Sequence, residues 1–422
     1  MKKEDTWFEL DTAAKLYPAI TSPKQASVFR LSCTLTEPVD PEMLQTALYV
    51  TIQRYPSFNV RLKRGVFWNY FEPNTNHPAV SEESAYPCQM LDASQNNDFL
   101  FQVTWFDKRI NLEIFHAIAD ATGGMEFLKS LVFYYLSLQG KVVSAQGLIR
   151  TLETKIDPEE TENSFIRYYD PQIVTSRAEE KAFHYSGSGL PFQHSRLIHG
   201  LIPAEDLLDV VHSYHATVTA YLTAVLIKAY FRASESFIKP EDIVKISVPI
   251  NLRSIFPSQT VRNFSFYMNI GEKYAQKGDR FETLLQKVSE QMKDQLDKEK
   301  ILARMNPNVS FEKNAAIRAV PLDVKLAIIR QAHQMVGEDL FTCSLSNIGV
   351  IGIPDSMRPF ISRFDFGLST SDKIPVNCSI CSYKGIVSIT FSSSIKETAL
   401  EKEFFRFLAA DGLQVTIETN EG

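Results

Sequence analysis

Cysteine is scarce in this chain, and so is an excess of charge of either sign. Five cysteines (Cys33, Cys88, Cys343, Cys378, Cys381) in 422 residues are too few for a disulfide scaffold and suit a reduced compartment. Cys378-Ser-Ile-Cys381 has the spacing of a metal or redox pair. It sits in a strand-like run with no second pair and no nearby histidine, so it reads as structural. Lys and Arg number 44 against 50 Asp and Glu, a formal charge of -6 that argues against a dedicated nucleic-acid binder. A small basic mouth for an anionic co-substrate remains compatible with that balance. Long apolar runs are missing as well. The most apolar stretch, Thr217 to Phe231, is interrupted by Lys228 and too short to span a bilayer. Met1-Lys2-Lys3-Glu4-Asp5 turns acidic at once with no apolar segment behind it. No signal peptide is read there, and a cytoplasmic location is expected. A Gly-x-Ser-x-Gly elbow, a Gly-Lys-Ser/Thr phosphate loop and a dinucleotide glycine fingerprint are absent too, which leaves hydrolase, P-loop and Rossmann readings without support.

What is present is an ordinary globular balance, 44% apolar and 22% charged. The length exceeds what one core usually supports, so two lobes are expected. The first half reads as α/β. Ser27 to Leu35 is a strand, and Asp40 caps a helix that begins at Pro41 and buries Leu44, Ala47, Leu48, Thr51 and Ile52. Strands flank a turn at Gly65, and a hairpin spans Phe99 to Phe115 with its turn at Asp107-Lys108. A helix after Gly124 ends at Gly140. Acidic residues around Asp157-Pro158-Glu159-Glu160 and the Ser186-Gly187-Ser188-Gly189 stretch mark a crossover. The second half repeats the grammar: strands at 197–202, 243–249, 266–270, 340–345, 376–382, 386–392 and 414–418, with helices from Pro203 and over 217–233, 281–305, 322–336 and 397–409.

One segment carries chemistry. The alternating strand Arg109-Ile110-Asn111-Leu112-Glu113-Ile114-Phe115 runs into His116-Ala117-Ile118-Ala119-Asp120-Ala121-Thr122-Gly123-Gly124 and then an amphipathic helix. Imidazole is the only side chain whose unperturbed pKa lets it take and return a proton at neutral pH. Three further blocks follow in order. They are Val248-Pro249-Ile250-Asn251-Leu252-Arg253 with Arg262-Asn263-Phe264, then Ser344-Leu345-Ser346-Asn347-Ile348-Gly349, and, upstream, Arg54-Tyr55-Pro56.

On these residues the chain resembles the superfamily that includes chloramphenicol acetyltransferase (CAT), peptide-synthetase condensation domains, plant BAHD acyltransferases and alcohol acetyltransferases. The nearest look is to the bacterial alcohol-acetyltransferase-like proteins. The resemblance implies an α/β fold of two CAT-like lobes, each a mixed sheet covered by helices, with an active-site tunnel between them. The lobes are expected at 1–150 and 190–422, joined by a crossover at 151–189, with a segment at about 341–392 crossing back to the first lobe. It implies an acyltransferase that moves an acyl group from acyl-CoA to an alcohol or amine acceptor. His116 acts as general base in the His-x-x-x-Asp motif, and Asp120 pairs with Arg253 to hold the loop. Ser346 and Asn347 lie opposite the histidine as oxyanion or substrate contacts, and Arg253, Asn263, Gly123 and Gly124 give structural support. No metal and no bound cofactor are implied; acyl-CoA is a co-substrate, and the partners are a small acceptor and an acyl thioester.

Two alternatives stay open. One is a condensation-like transferase whose donor hangs on an acyl or peptidyl carrier protein, although Phe115 replaces the extra leading histidine of condensation domains. The other is a non-catalytic relative that binds a hydrophobic ligand. Ala121 keeps it alive, because most members have glycine there: a position that needs positive φ would strain alanine. Asp365-Phe366-Gly367-Leu368-Ser369 only half matches the corresponding plant block. The remaining histidines, His77, His184, His194, His199, His212, His215 and His333, match nothing and read as solvated or capping; His212 and His215 come nearest to metal-ligand spacing but, with no further ligand in pattern, read as structural.

Overall fold

The computed structural model describes residues 7–173 and 179–421. The opening stretch at 1–5 and part of the expected crossover, 174–178, lie outside the described residues. Two mixed sheets carry the fold. The first has five strands in the order Ile361–Leu368, Val28–Leu35, Arg109–Phe115, Phe101–Phe106 and Val80–Glu82. The second has seven, in the order Ser265–Lys273, Ile243–Asn251, Cys343–Val350, Val376–Tyr383, Ile386–Ser393, Arg196–Pro203 and Thr416–Thr419. A small sheet of Phe8–Glu9, Asn69–Pro73 and Val60–Arg64 lies apart from both.

Each large sheet buries its own core. Pro41–Arg54 packs against Ala121–Leu138 in the first half, with Leu44, Leu48, Leu128 and Leu131 in one buried cluster. In the second half Val218–Ala233 packs against Phe281–Gln295 and Ala399–Ala410 around a separate cluster that includes Leu226, Val288 and Phe404. The strand Ile361–Leu368 belongs to the second half of the chain yet forms an edge of the first sheet, antiparallel to Val28–Leu35. Its Phe364 and Phe366, with Met357 and Ile353, pack into the first core. The Asp365–Ser369 block is therefore part of the segment that ties the halves together. Alternation along Val376–Tyr383 puts Cys378 in the second core and Cys381 in the first. Side chains three apart on a strand point to opposite faces, so the two thiols cannot share a ligand.

Several boundaries differ from the expectation. One helix over 281–305 is instead two, Phe281–Gln295 and Lys298–Lys313, because the Asp297 side chain accepts from Lys300 N and starts a new helix. The second runs on through Pro307. The strand expected at 340–345 begins at Cys343 and reaches Val350, since Glu338–Leu340 forms a 3-10 turn first. The helix expected after Gly124 starts at Ala121, capped by Asp120. No single helix among the described residues is long and apolar enough to cross a membrane.

Candidate active site

The strand Arg109–Phe115 delivers His116 to its end, where the His116 backbone N–H donates to Ser27 O at 2.9 Å. Asp120, in extended conformation, then caps the following helix, and its Oδ1 accepts from Gly123 N at 3.0 Å. The same carboxylate bridges the two halves. Arg253 Nη1 donates to Asp120 Oδ2 at 2.8 Å, Nη2 to Oδ1 at 3.2 Å, and Phe264 N adds a bond to Oδ2 at 2.9 Å. Arg253 spends its remaining donors on the carbonyls of Thr260 (2.9 Å) and Arg262 (2.6 Å) and on Asn251 Oδ1 (3.2 Å). This is a planar, two-pronged pair with both partners fully bonded, the geometry in which arginine surpasses lysine.

The glycines after Asp120 have packing reasons. A Cβ on Gly123 would lie 1.8 Å from Val261 O, and one on Gly124 would lie 2.5 Å from Ile114 Cδ1. Ala121 does not adopt positive φ. It is the first residue of the helix, so alanine is unstrained there.

The His116 ring stacks on Tyr17 (centroids 4.5 Å apart, planes at 15°) and meets the edge of Phe29 at 5.1 Å. Its Nδ1 lies 3.0 Å from Asn263 Oδ1. The amide of Asn263 is itself oriented: Nδ2 donates to Asp11 Oδ2 at 3.2 Å and reaches Ala117 O at 3.5 Å. A carboxylate and a carbonyl can only accept here, so the amide NH2 faces them and Oδ1 faces the ring. The network thereby assigns the proton to Nδ1, which donates, and leaves the Nε2 lone pair without a protein partner among the described residues. Burial pushes the His116 pKa below its ordinary value, with the Asp120 charge, the bond to Asn263 and the Asp11 charge opposing. Burial also raises the Asp11 pKa; the Arg262 charge and the bonds from Ala14 N and Asn263 oppose that. Tyr17, desolvated beside Asp11 and Asp120, has its phenol pKa raised.

His116 opens onto a cavity of about 710 Å³. Asp120, Ser346, Asn347, Tyr17 and Phe29 share its lining, whereas Arg253, Asn263, Gly123 and Gly124 stand behind the wall. Asn347 is held at a bulge: its Oδ1 accepts from Gly349 N at 2.8 Å and its Nδ2 donates to Thr219 Oγ1 at 3.2 Å. One amide hydrogen of Asn347 stays uncommitted. Ser346 is 8% exposed, on the strand between those of Ile243–Asn251 and Val376–Tyr383.

Sequence reasoning overlooked Asp11 and Tyr17. Asp11 is fully buried, and its Oδ1 accepts from Ala14 N at 2.8 Å, a local turn signal readable in Asp11-Thr12-Ala13-Ala14. Nothing local announces that its other oxygen meets a residue more than two hundred positions away.

No family model and no curated protein matches the sequence. Solved structures do resemble it. TRI101 of F. graminearum, determined with coenzyme A and T-2 mycotoxin, superposes with a TM-score of 0.61 at 12% identity, covering 97% of this chain and 99% of that one. Polyketide synthase associated protein 5 from Mycobacterium tuberculosis gives 0.63 at 12%, covering 95% and 96%. The first condensation domain of the calcium-dependent antibiotic synthetase gives 0.61 at 15%, covering 98% and 100%. The chain shares its two-lobed α/β fold with these structures. At such identities the likeness speaks for the fold, and the chemistry must come from the site.

Proposed function

We propose that the protein is an acyltransferase that moves an acyl group from an acyl thioester to a hydroxyl or amine by direct transfer, with His116 as general base. The observation that carries this reading is the His116 imidazole, its Nδ1 3.0 Å from Asn263 Oδ1, in the lining of a cavity of about 710 Å³. An alcohol is too weak an acid to ionise beforehand, so its proton must leave as it attacks. In the proposed step the acceptor oxygen adds to the thioester carbonyl while His116 Nε2 takes its proton. The tetrahedral intermediate then expels the thiolate, which receives that proton from the imidazolium. Burial favours the neutral ring at the start, and the nearby Asp120 charge favours the transient cation. The uncommitted Asn347 amide hydrogen, on the cavity wall, is the proposed donor to the developing oxyanion. A covalent acyl-enzyme has no support: all five cysteines are buried, and no base among the described residues bonds the Ser346 hydroxyl.

Coenzyme A is the proposed handle of the thioester, by analogy with TRI101, which was determined with it. A donor on a carrier protein is the second reading, favoured by the full-length match to a condensation domain. A non-catalytic binder loses its main argument, since Ala121 sits at ordinary helical φ. A reduced, cytoplasmic setting fits the free cysteines and stays part of the proposal.

The experiment is thiol release from acetyl-CoA against a panel of small alcohols and amines, with and without His116→Ala. Acceptor-dependent release that falls about 10²- to 10⁴-fold in the variant supports the reading. Release identical in both proteins overturns it. Repeating the assay with an acylated carrier protein separates the two donors.

A further inference from the structure

The cavity that His116 lines is also lined by Gln25, His333, Glu338 and Ser371. Glu338 opens the 3-10 turn between the helix Leu322–Val336 and the strand Cys343–Val350. It is 8% exposed, and its Oε1 accepts only from neutral groups, Ser371 Oγ at 2.6 Å and Gln25 Nε2 at 3.2 Å. Gln25 lies two residues before Ser27, whose carbonyl holds the His116 backbone, so Glu338 belongs to the same stretch of wall.

The charges lining this cavity are otherwise matched. Asp120 pairs with Arg253, and Glu312 with Lys15. The neighbouring Asp339 takes both Lys181 (2.8 Å) and Lys373 (2.6 Å). Glu338 alone among the lining carboxylates has no cation beside it, as far as the described residues extend. His333 forms no ion pair with Glu338 among the described residues; burial and the Lys373 charge hold its pKa down, against the Glu338 charge. Buried carboxylates are normally paired, because desolvation disfavours a lone charge. A thioester donor is a poor occupant here, since the phosphates of coenzyme A or of a carrier's pantetheine arm would be repelled. The stretch of wall around Glu338 therefore suits the acceptor.

We infer that Glu338, with Gln25 and Ser371, forms a cation subsite that takes an acceptor carrying an ammonium group besides the hydroxyl or amine that is acylated. Assigning this stretch of wall to the acceptor rests on the acyl-transfer reading above; the subsite itself rests on the unmatched carboxylate.

The test uses three probes of one length: 6-amino-1-hexanol, 1,6-hexanediol and 6-hydroxyhexanoate. Calorimetric titration of the wild-type protein at pH 7.5 should rank them in that order, with the amine at least about tenfold tighter than the diol. Glu338→Gln should bring amine and diol within about twofold by weakening the amine alone. Equal affinities in the wild type, no binding of the amine, or a preference that survives in Glu338→Gln would overturn the inference. Should Glu338→Gln fail to fold, the wild-type ranking decides by itself. Thiol release from acetyl-CoA, measured in parallel, keeps the two claims apart. A cation preference without thiol release preserves the subsite and sinks acyl transfer; thiol release without the preference does the reverse.

Discussion

The two walls of the cavity are built differently. On the histidine side almost every polar atom is committed: Asp11 holds Asn263, Asn263 holds His116, and Asp120 holds Arg253 while capping a helix. Elsewhere in the lining, Asn347 is fixed by two bonds and keeps one hydrogen free. The contrast fits the two tasks that the proposed acyl transfer would set. A base must hold one tautomer and one orientation through every turnover, which calls for a supporting shell. An oxyanion donor must be rigid but unspent, because a donor already committed cannot stabilise new charge.

The largest expected effect tests the committed wall. Asp120→Ala removes the buried partner of an arginine whose side chain is 11% exposed, so urea unfolding should show about 3–5 kcal/mol of lost stability. A loss below about 1 kcal/mol would mean that the bridge between the halves is not structural. Next comes the sparse wall. Asn347→Ala should lower kcat by about 10²- to 10³-fold, equivalent to roughly 3–4 kcal/mol, with the unfolding midpoint nearly unchanged. If KM rises instead while kcat holds, Asn347 binds the ground state and the contrast between the walls fails. The smallest effect sits at the helix start. Ala121→Gly should cost at most about 1 kcal/mol of stability and leave kcat within about twofold, since the position needs no positive φ. A large gain in activity would show that alanine obstructs the tunnel.

Much of this was legible in the sequence because the signals were local. The strand into His116, the capping Asp40 before Pro41, and the helix at Val218–Ala233 rest on period and caps that tertiary context did not override. The break at Leu296–Asp297 was missed because helix-forming residues run through it, and only the Asp297 cap betrays it. The Asp365–Ser369 block was undervalued for the opposite reason. Its meaning is its pairing with Val28–Leu35, more than three hundred residues away, which no local pattern encodes. Asp11 and Glu338 are of the same kind. Each is a single carboxylate whose importance comes from what the fold brings beside it, and a lone acidic residue in a polar stretch looks like a solvated one.

The central claim is a neutral imidazole carrying its proton on Nδ1, with Nε2 free toward the cavity. Nitrogen-15 NMR of the histidine rings reads this directly, using His116→Gln to assign the signal. At pH 7 the expected spectrum shows His116 neutral and protonated at Nδ1, becoming cationic only below the ordinary pH of about 6.5. That preference should weaken in Asn263→Ala. A ring protonated at Nε2, or already an imidazolium at pH 7, would contradict the account.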